Sequence, residues 1–345
     1  VLVKGILLAH AESAPCVAAA ARAAAAAASR HEDTKVALFK AGIAAPLLAS
    51  LEAHGGDARL AASVCQALSA LATADDRRTA ASAAFAHGRQ LHALTAHVPL
   101  MAALQRHPGA ASVAGAACCA LRASAVNDEA CEDIAEAGAV EAAVALLLFE
   151  LREGSATGVT RSALALLRQL AGADAVKARF LSGGGLPPLV AVLSSCAGPS
   201  AVPTCEAALA LLSALSLRHP EFVAAAAAAG ALDATLDAMA AYASAPGLQR
   251  AACMFLRNCA ARNPEVRPLL RDRGAEPLLR AAKQAHPSLC TDVGSAALRD
   301  LGSENYNEGW TPTTVYMGSE GQLFTYADLG SDGEEDHKLA PLAEE

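Results

Sequence analysis

Aromatic side chains are scarce in this chain: 3% of its 345 residues, with a single tryptophan, against 54% hydrophobic residues. A core this apolar with so few rings has to be filled by small side chains brought close together, because protein interiors reach crystal-like density. Long apolar runs free of charge are also missing. VAAAARAAAAAAS is broken by Arg22, and FVAAAAAAGALDATLDAMA by Asp233 and Asp237. Alanine is only weakly lipophilic, so neither stretch reads as a membrane span. The opening VLVKGILL is too short for a secretory apolar region with its cleavage site, and the chain begins on valine, as a fragment or processed form does.

No CxxC occurs among the ten cysteines, which lie inside apolar helical runs, as at Cys65, Cys119, Cys205, Cys253 and Cys259. That pattern implies reduced, buried thiols in a cytosolic-type compartment. His87, His92 and His97 recur every fifth residue, which scatters them around a helix instead of setting two on one face as metal ligands. GxSxG, P-loop and HExxH motifs are absent, as are paired acids within an apolar segment, so neither catalysis nor a cofactor, metal or small-molecule substrate is expected. A nearly neutral body with an acidic end excludes a nucleic-acid binder, which needs a basic one.

What the chain does have is alanine and leucine in helical stretches, the residues that lose least on entering a helix. Six glycines, Gly42, Gly88, Gly138, Gly185, Gly230 and Gly274, fall 46, 50, 47, 45 and 44 residues apart. Five lie eleven residues beyond a polar connector: His31, Asn127, Asp174, His219 and Asn263. Each glycine is followed by an apolar run, a Pro/Gly/Ser-rich break and a longer run closing on leucines, such as ALALLRQLA or CMFLRNCA. A short helix, a glycine hinge, a second helix and a third helix repeated at this period define an α-solenoid. The hinge is expected to be left-handed, where only glycine is unpenalised, with Pro46, Pro187 and Pro277 in the first turn of the helix that follows.

The phased G-x-x-P-L-L and A-L-x-x-L blocks resemble the armadillo repeat over about residues 15 to 302. QRAACMFLRNCAARNPE, RGAEPLLRAAKQAHPSLCTDVGSAALRDLG and LRQLAGADAVK are similar to the armadillo repeat-containing protein 6 family. The resemblance implies an all-α, armadillo-type α-solenoid, a right-handed superhelix of three-helix repeats over residues 1–302 with its first unit partial. Residues 303–345 are expected to form an irregular acidic tail. It also implies a non-enzymatic eukaryotic protein and third helices that line a concave face. In peptide-carrying armadillo proteins that face bears a Trp and, four residues on, an Asn. The matching pairs here are Gln66 and Ala70, Cys119 and Ala123, Ala165 and Gln169, Ala210 and Ala214, Met254 and Asn258, Ala296 and Asp300. Only Asn258 keeps the amide, so the grip on a basic extended peptide is lost.

An arginine follows the third-helix leucine in four of six units: Arg122, Arg168, Arg257 and Arg299. These arginines cap carbonyls or pair with a connector acid of the adjoining unit, or they receive an acidic partner through bidentate contacts, or they are solvated charge. The tail carries ten acids and Lys338, a formal −9 that leaves the remainder at +1. It also holds Trp310, Phe324, Tyr306, Tyr316 and Tyr326, which read as a docking motif, and SDGEED at Ser331, which resembles an acidic-directed kinase site. The tail is expected to leave beside Arg299 and lie along the last repeats, anchored by Trp310 and Phe324, with its acids steered toward Arg257, Arg271 and Arg299. The functional expectation is a protein-interaction scaffold or adaptor whose partners are other proteins, not membranes. Its expected location is cytoplasmic. The alternative is a structural subunit of a large assembly, such as a ciliary or cytoskeletal complex.

Overall fold

The computed structural model describes residues 2–79, 81–154 and 158–308, together with two short strands, β1 (Val315–Met317) and β2 (Leu323–Thr325), paired antiparallel with Val315 opposite Thr325. Everything from residue 2 to 302 is built of twenty α-helices among the described residues and one 3-10 turn at Pro199–Ala201. Two helices open the chain, α1 (Leu2–Ala9) and α2 (Ala14–Ala28). Six triplets follow. They are α3 (Glu32–Lys40), α4 (Ala44–His54) and α5 (Ala58–Leu71); α6 (Ala84–Ala93), α7 (His97–Arg106) and α8 (Ala111–Ser124); α9 (Asp128–Glu136), α10 (Ala139–Glu153) and α11 (Gly158–Leu170); α12 (Asp174–Ser182), α13 (Leu186–Ser195) and α14 (Val202–Ser216); α15 (Pro220–Ala228), α16 (Ala231–Ala241) and α17 (Pro246–Ala261); and α18 (Val266–Asp272), α19 (Ala275–Ala285) and α20 (Pro287–Leu301).

The third helices form one ladder, α2, α5, α8, α11, α14, α17 and α20, each packed on the next. The second helices, from α1 through α4, α7, α10, α13 and α16 to α19, form a parallel one. A single buried cluster runs from Leu7 to Leu301. Its contact points are small, with Ala61, Ala67, Ala117, Ala163, Ala208, Ala252 and Ala297 almost fully buried where third helices meet. Short side chains let helix axes approach the lower end of the usual 8–10 Å spacing. Leucines and a few rings fill what remains. Phe39 stacks on the buried His87 at 4.1 Å between ring centroids.

The connector residues work as helix caps in three units. His31 Nδ1, Asn127 Oδ1 and His219 Nδ1 accept from the backbone N–H three residues on, that of Thr34, Ala130 and Phe222. Each satisfies one orphan donor of a first helix. Asp174 and Asn263 do otherwise: Asp174 lies in the first turn of α12, and Asn263 donates back to Cys259 O at 3.0 Å.

Four of the six glycines are left-handed hinges, Gly42, Gly138, Gly230 and Gly274, with φ between 73° and 93°. Two differ from expectation. In the GGG sequence at 183–185 the left-handed residue is Gly184 (φ 71°), whereas Gly185 has φ −72°, and a Cβ there would strike the Phe180 ring at 2.5–2.7 Å. Gly88 is no hinge at all. It sits inside α6, where a Cβ would collide with Ala123 O and with Val126 Cγ1 at 2.5 Å, so it is a close-approach site between α6 and the end of α8. His87 and His92 lie in α6 and His97 opens α7, and no group of three or more His, Cys, Asp or Glu suited to a metal ion occurs among the described residues.

Replacing Gly138 or Gly230 by alanine is expected to lower unfolding free energy by about 1–2 kcal/mol, the cost of a left-handed L-residue. Gly88→Ala should destabilise as well, although helix propensity alone favours alanine by about 1 kcal/mol. Urea unfolding of the three variants checks this, and an unchanged midpoint for Gly138→Ala and Gly230→Ala refutes the hinge role.

Candidate interaction surface

Third-helix carbonyls have no partners of their own at the C-terminal turn. Four units supply one from the first helix. Lys35, fully buried in α3, donates from Nζ to Thr73 O at 2.5 Å and pairs with Asp75. Lys177, at the same position of α12, donates to Leu217 O (3.1 Å) and to Asp174 (2.7 Å), whose carboxyl that bond holds below its ordinary range. Cys131 directs its thiol to Gln169 O, and Arg271 reaches Leu301 O. Cationic side chains are favoured at helix C-termini by the backbone dipole.

The expected carbonyl caps were the ladder arginines, and the structure gives that work to the first helices instead. Arg257 faces Asp300 of the next third helix at 3.8 Å, and Arg299 holds the same carboxylate at 2.9 Å; Asp300 is a third-helix residue, not a connector. Arg122 and Arg168 are exposed, with no side-chain hydrogen bond or ion pair among the described residues.

Position four after the Trp register binds unit to unit. Gln169 Nε2 donates to Ala125 O at 2.7 Å, and Asn258 Nδ2 to Ser213 O at 2.9 Å and Ser216 Oγ at 3.3 Å. Asp300 receives Arg257 across the same kind of step. The one surviving asparagine is therefore committed to the preceding third helix. Beside this line, α5, α8 and α11 enclose a groove of about 670 Å³. Its floor is short, with Ala70, Gly115, Ala116 and Ser162, and Arg122 stands at its edge.

Charge is sorted by layer. The seven third helices carry eight arginines (Arg22, Arg59, Arg122, Arg161, Arg168, Arg250, Arg257 and Arg299), no lysine, and three acids (Glu206, Asp292 and Asp300), a formal +5. All eight arginines are exposed. The other residues up to 308 sum to −6, with five acids on α9 alone. Four of these arginines fall outside the single register followed in the sequence. A charge count by helix, possible once the repeat is phased, would have found them.

The tail leaves by another route than expected. Residues 303–308 are fastened to α19, a second helix, and not to the arginine line. Arg280 donates to Glu304 O (2.5 Å) and Asn305 O (3.2 Å), and Lys283 to Tyr306 O (2.6 Å) and Glu308 O (3.0 Å). Ser303 Oγ donates to Glu276 at 2.9 Å, and Glu276 is held below the usual carboxylate range by Arg280 and by this hydroxyl. Lys283 is nearly buried, and burial pulls its pKa down. Its stem crosses Gly294 of α20, where a Cβ would meet Lys283 Cγ at 2.6 Å. Arg280 and Lys283 thus hold residues 303–308, and the acids from Glu320 onward that were expected to face Arg257, Arg271 and Arg299 lie outside the described residues. Trp310 and Tyr326 lie outside the described residues, and Phe324 is known only as the centre of β2.

Six three-helix units in phase, with stacked third helices and glycine turns between the first two, make this chain an armadillo-type α-solenoid. Solved structures of that type match it. A designed armadillo repeat protein superposes with TM-score 0.61 at 23% identity over 74% of this chain and 98% of its own. Another, in complex with peptide (KR)4, gives 0.60 at 20% identity with the same coverage. A chain from the structure on a phosphorylation switch controlling the interaction between cadherin and beta-catenin gives 0.68 at 15% identity, covering 95% of this chain and 60% of that one. In sequence the chain is similar to Armadillo repeat-containing protein 6 of Homo sapiens and of Pongo abelii, 30% identical over 201 residues. That match takes in 56% of this chain and 39% of each relative, so it spans well under half of their length. No family model matches the chain.

Gly294→Val should evict the Lys283 stem and free residues 303–308 from α19. Amide hydrogen exchange is expected to accelerate across 303–308 by tenfold or more while α14 stays protected; equal protection in the variant and parent chains would remove Lys283 from the anchor.

Proposed function

We propose that this chain is a non-enzymatic protein-interaction scaffold whose inner face, the exposed side of the third-helix ladder, receives acidic protein segments. The observation that carries the reading is the sorting of charge: a formal +5 made only of arginine on the third helices, against −6 on the rest of residues 1–308. Arginine presents a planar fork suited to bidentate contact with carboxylates. Arg122 and Arg168 stand free for it, with Arg257, Arg299 and the Asn258 staple continuing the line toward the C-terminal end. Armadillo neighbours support the class of work, since one is solved with the basic peptide (KR)4 and another concerns cadherin and beta-catenin. The sign here is reversed, so the partner's sign reverses with it.

Magnitudes place the arginines as selectors. Exposed ion pairs contribute about 0.2–1 kcal/mol each and weaken with salt. A leucine-sized side chain entering the short-floored groove between α5 and α11 adds roughly 1.5–3 kcal/mol. The proposed partner therefore carries acids flanking an apolar anchor. It is a protein in the cytoplasm, the cytoskeleton and cilium being its alternative settings, and nucleic acid, membrane and small-molecule substrates have no part in this reading.

Charge reversal tests it. In pull-downs at two salt concentrations, Arg122→Glu with Arg168→Glu should lose the low-salt partners of the parent chain while circular dichroism stays helical. An unchanged partner set rejects the inner face as the binding surface.

A further inference from the structure

Three residues beyond the Trp register, the successive third helices carry Ser69, Arg122, Arg168, Ser213, Arg257 and Arg299. Arginines are neighbours there twice. Arg257 and Arg299 share Asp300. Arg122 of α8 and Arg168 of α11 have no acid on either helix and no side-chain bond among the described residues. Resting on the reading of the third-helix face as an acceptor of acidic protein segments, we infer that Arg122 and Arg168 clamp the phosphate of a partner's phosphotyrosine, whose ring lies in the groove between α5, α8 and α11.

Charge and height select the phosphate. Equivalent positions of stacked third helices lie side by side, and the helix axes are about 8–10 Å apart, a gap that two arginine side chains can close from both sides. A carboxylate has one charge and one edge for a single fork. A tyrosine phosphate carries about −1.5 to −2 charges and three acceptor oxygens, so it engages both forks at once. Ser69 adds a hydroxyl at the same height on α5, with no side-chain hydrogen bond among the described residues. Asp75, on the edge of the same groove, is taken by Lys35 and by the N–H of Arg30 at 3.1 Å, so its charge is balanced.

The groove selects the ring. The residues of α8 that line it are Ser112, Gly115, Ala116, Cys119 and Arg122, spaced as one face of a helix. Arg122 stands about 4.5 Å of helical rise beyond Cys119 and about 9 Å beyond Ala116. A ring laid over Ala116 and Cys119 therefore points its para oxygen to the arginine level. Toward α11 the floor is closed: Cys119 directs its thiol to Ser162 Oγ at 3.6 Å, and a Cβ on Gly115 would stand 3.8 Å from the same oxygen. Such a shallow, short-walled space suits a flat group. Leucine would cover the floor and leave the arginines unmet, whereas phosphoserine or glutamate would meet the arginines and leave the floor bare. Phosphotyrosine does both with one side chain.

The test uses the full chain and fluorescence-labelled peptides with three glutamates on either side of one central residue. The phosphotyrosine peptide is expected to bind at least tenfold more tightly than the tyrosine, leucine and phosphoserine peptides. Its advantage over the tyrosine peptide should disappear in Arg122→Gln and in Arg168→Gln and persist in Arg257→Gln. All three arginines are exposed, so these variants should keep the circular dichroism of the parent chain. Equal binding of the phosphotyrosine and tyrosine peptides, equal binding of the phosphotyrosine and phosphoserine peptides, or an advantage that survives both substitutions overturns the inference. All glutamate-flanked peptides binding alike, and losing affinity in Arg122→Glu with Arg168→Glu, overturns it while leaving the acidic-partner reading intact. A phosphotyrosine flanked by serines that binds as tightly as one flanked by glutamates, with octaglutamate not bound, upholds the inference and removes that reading instead. Binding of none of these peptides overturns both.

Discussion

Close packing of third helix on third helix is the constraint from which the rest of the molecule follows. With alanine at the crossings and few rings anywhere, this chain cannot gain stability from bulky cores within a unit. It gains it by bringing backbones together between units, where many small contacts each of about 0.1–0.2 kcal/mol accumulate. Close approach leaves little room for charged side chains between helices, so the arginines of a third helix are forced to the exposed face while the uncharged Gln249 and Phe255 of α17 are taken into the interior. That is why the arginines of this layer are all exposed while, among the described residues, buried lysines occur only on first and second helices, at Lys35, Lys177 and Lys283. A crowded ladder also brings the C-terminal carbonyls of successive third helices into reach of first-helix side chains. Lys35, Cys131, Lys177 and Arg271 each take up that position.

Because first helices do the capping, Arg122 and Arg168 are released from structural work, whereas Arg257 still ties α17 to Asp300 of α20 and Arg22 reaches Ser63 of α5. The two jobs are separated by chemistry as well as by place. The buried caps are mainly lysines, whose flexible stems can thread to a carbonyl, and the exposed line is entirely arginine, whose rigid fork suits a planar anion. Buried lysines beside carbonyls raise the cost of opening a unit, since a cation left without acceptors is expensive. Solenoid stability is a sum of unit and nearest-neighbour terms, so such bonds within a unit bear directly on which units open first.

Much of this was legible in the sequence, for a physical reason: a repeat writes its constraints several times. The helix triplets, the hinges at Gly42, Gly138, Gly230 and Gly274, and the connector positions His31, Asn127 and His219 were readable because each performs one local task at a fixed offset, although the capping done at those connectors shows only in the structure. The shift from Gly185 to Gly184 was not, since three consecutive glycines remove the side-chain information that distinguishes a left-handed residue from its neighbours, and only the Phe180 ring decides. Gly88 misled in the other direction, because a close helix approach and a turn both demand glycine. The arginine ladder was half visible. Its register was clear, but the carboxylate that occupies Arg257 and Arg299, Asp300, is identified only when neighbouring third helices are set side by side.

The tail shows how a local bond set can close the end of the ladder. A solenoid's last unit has no successor to cover it, and here residues 303–308 cover part of α19 through backbone carbonyls held by Arg280 and Lys283. Carbonyl acceptors make that strap indifferent to most of the side chains that residues 304–308 carry. The strap also places residues 303–308 on the second-helix layer and not on the exposed face of the third helices. Closure of the end thus depends on two side chains of one helix, and on the glycine at 294 that lets one of them pass.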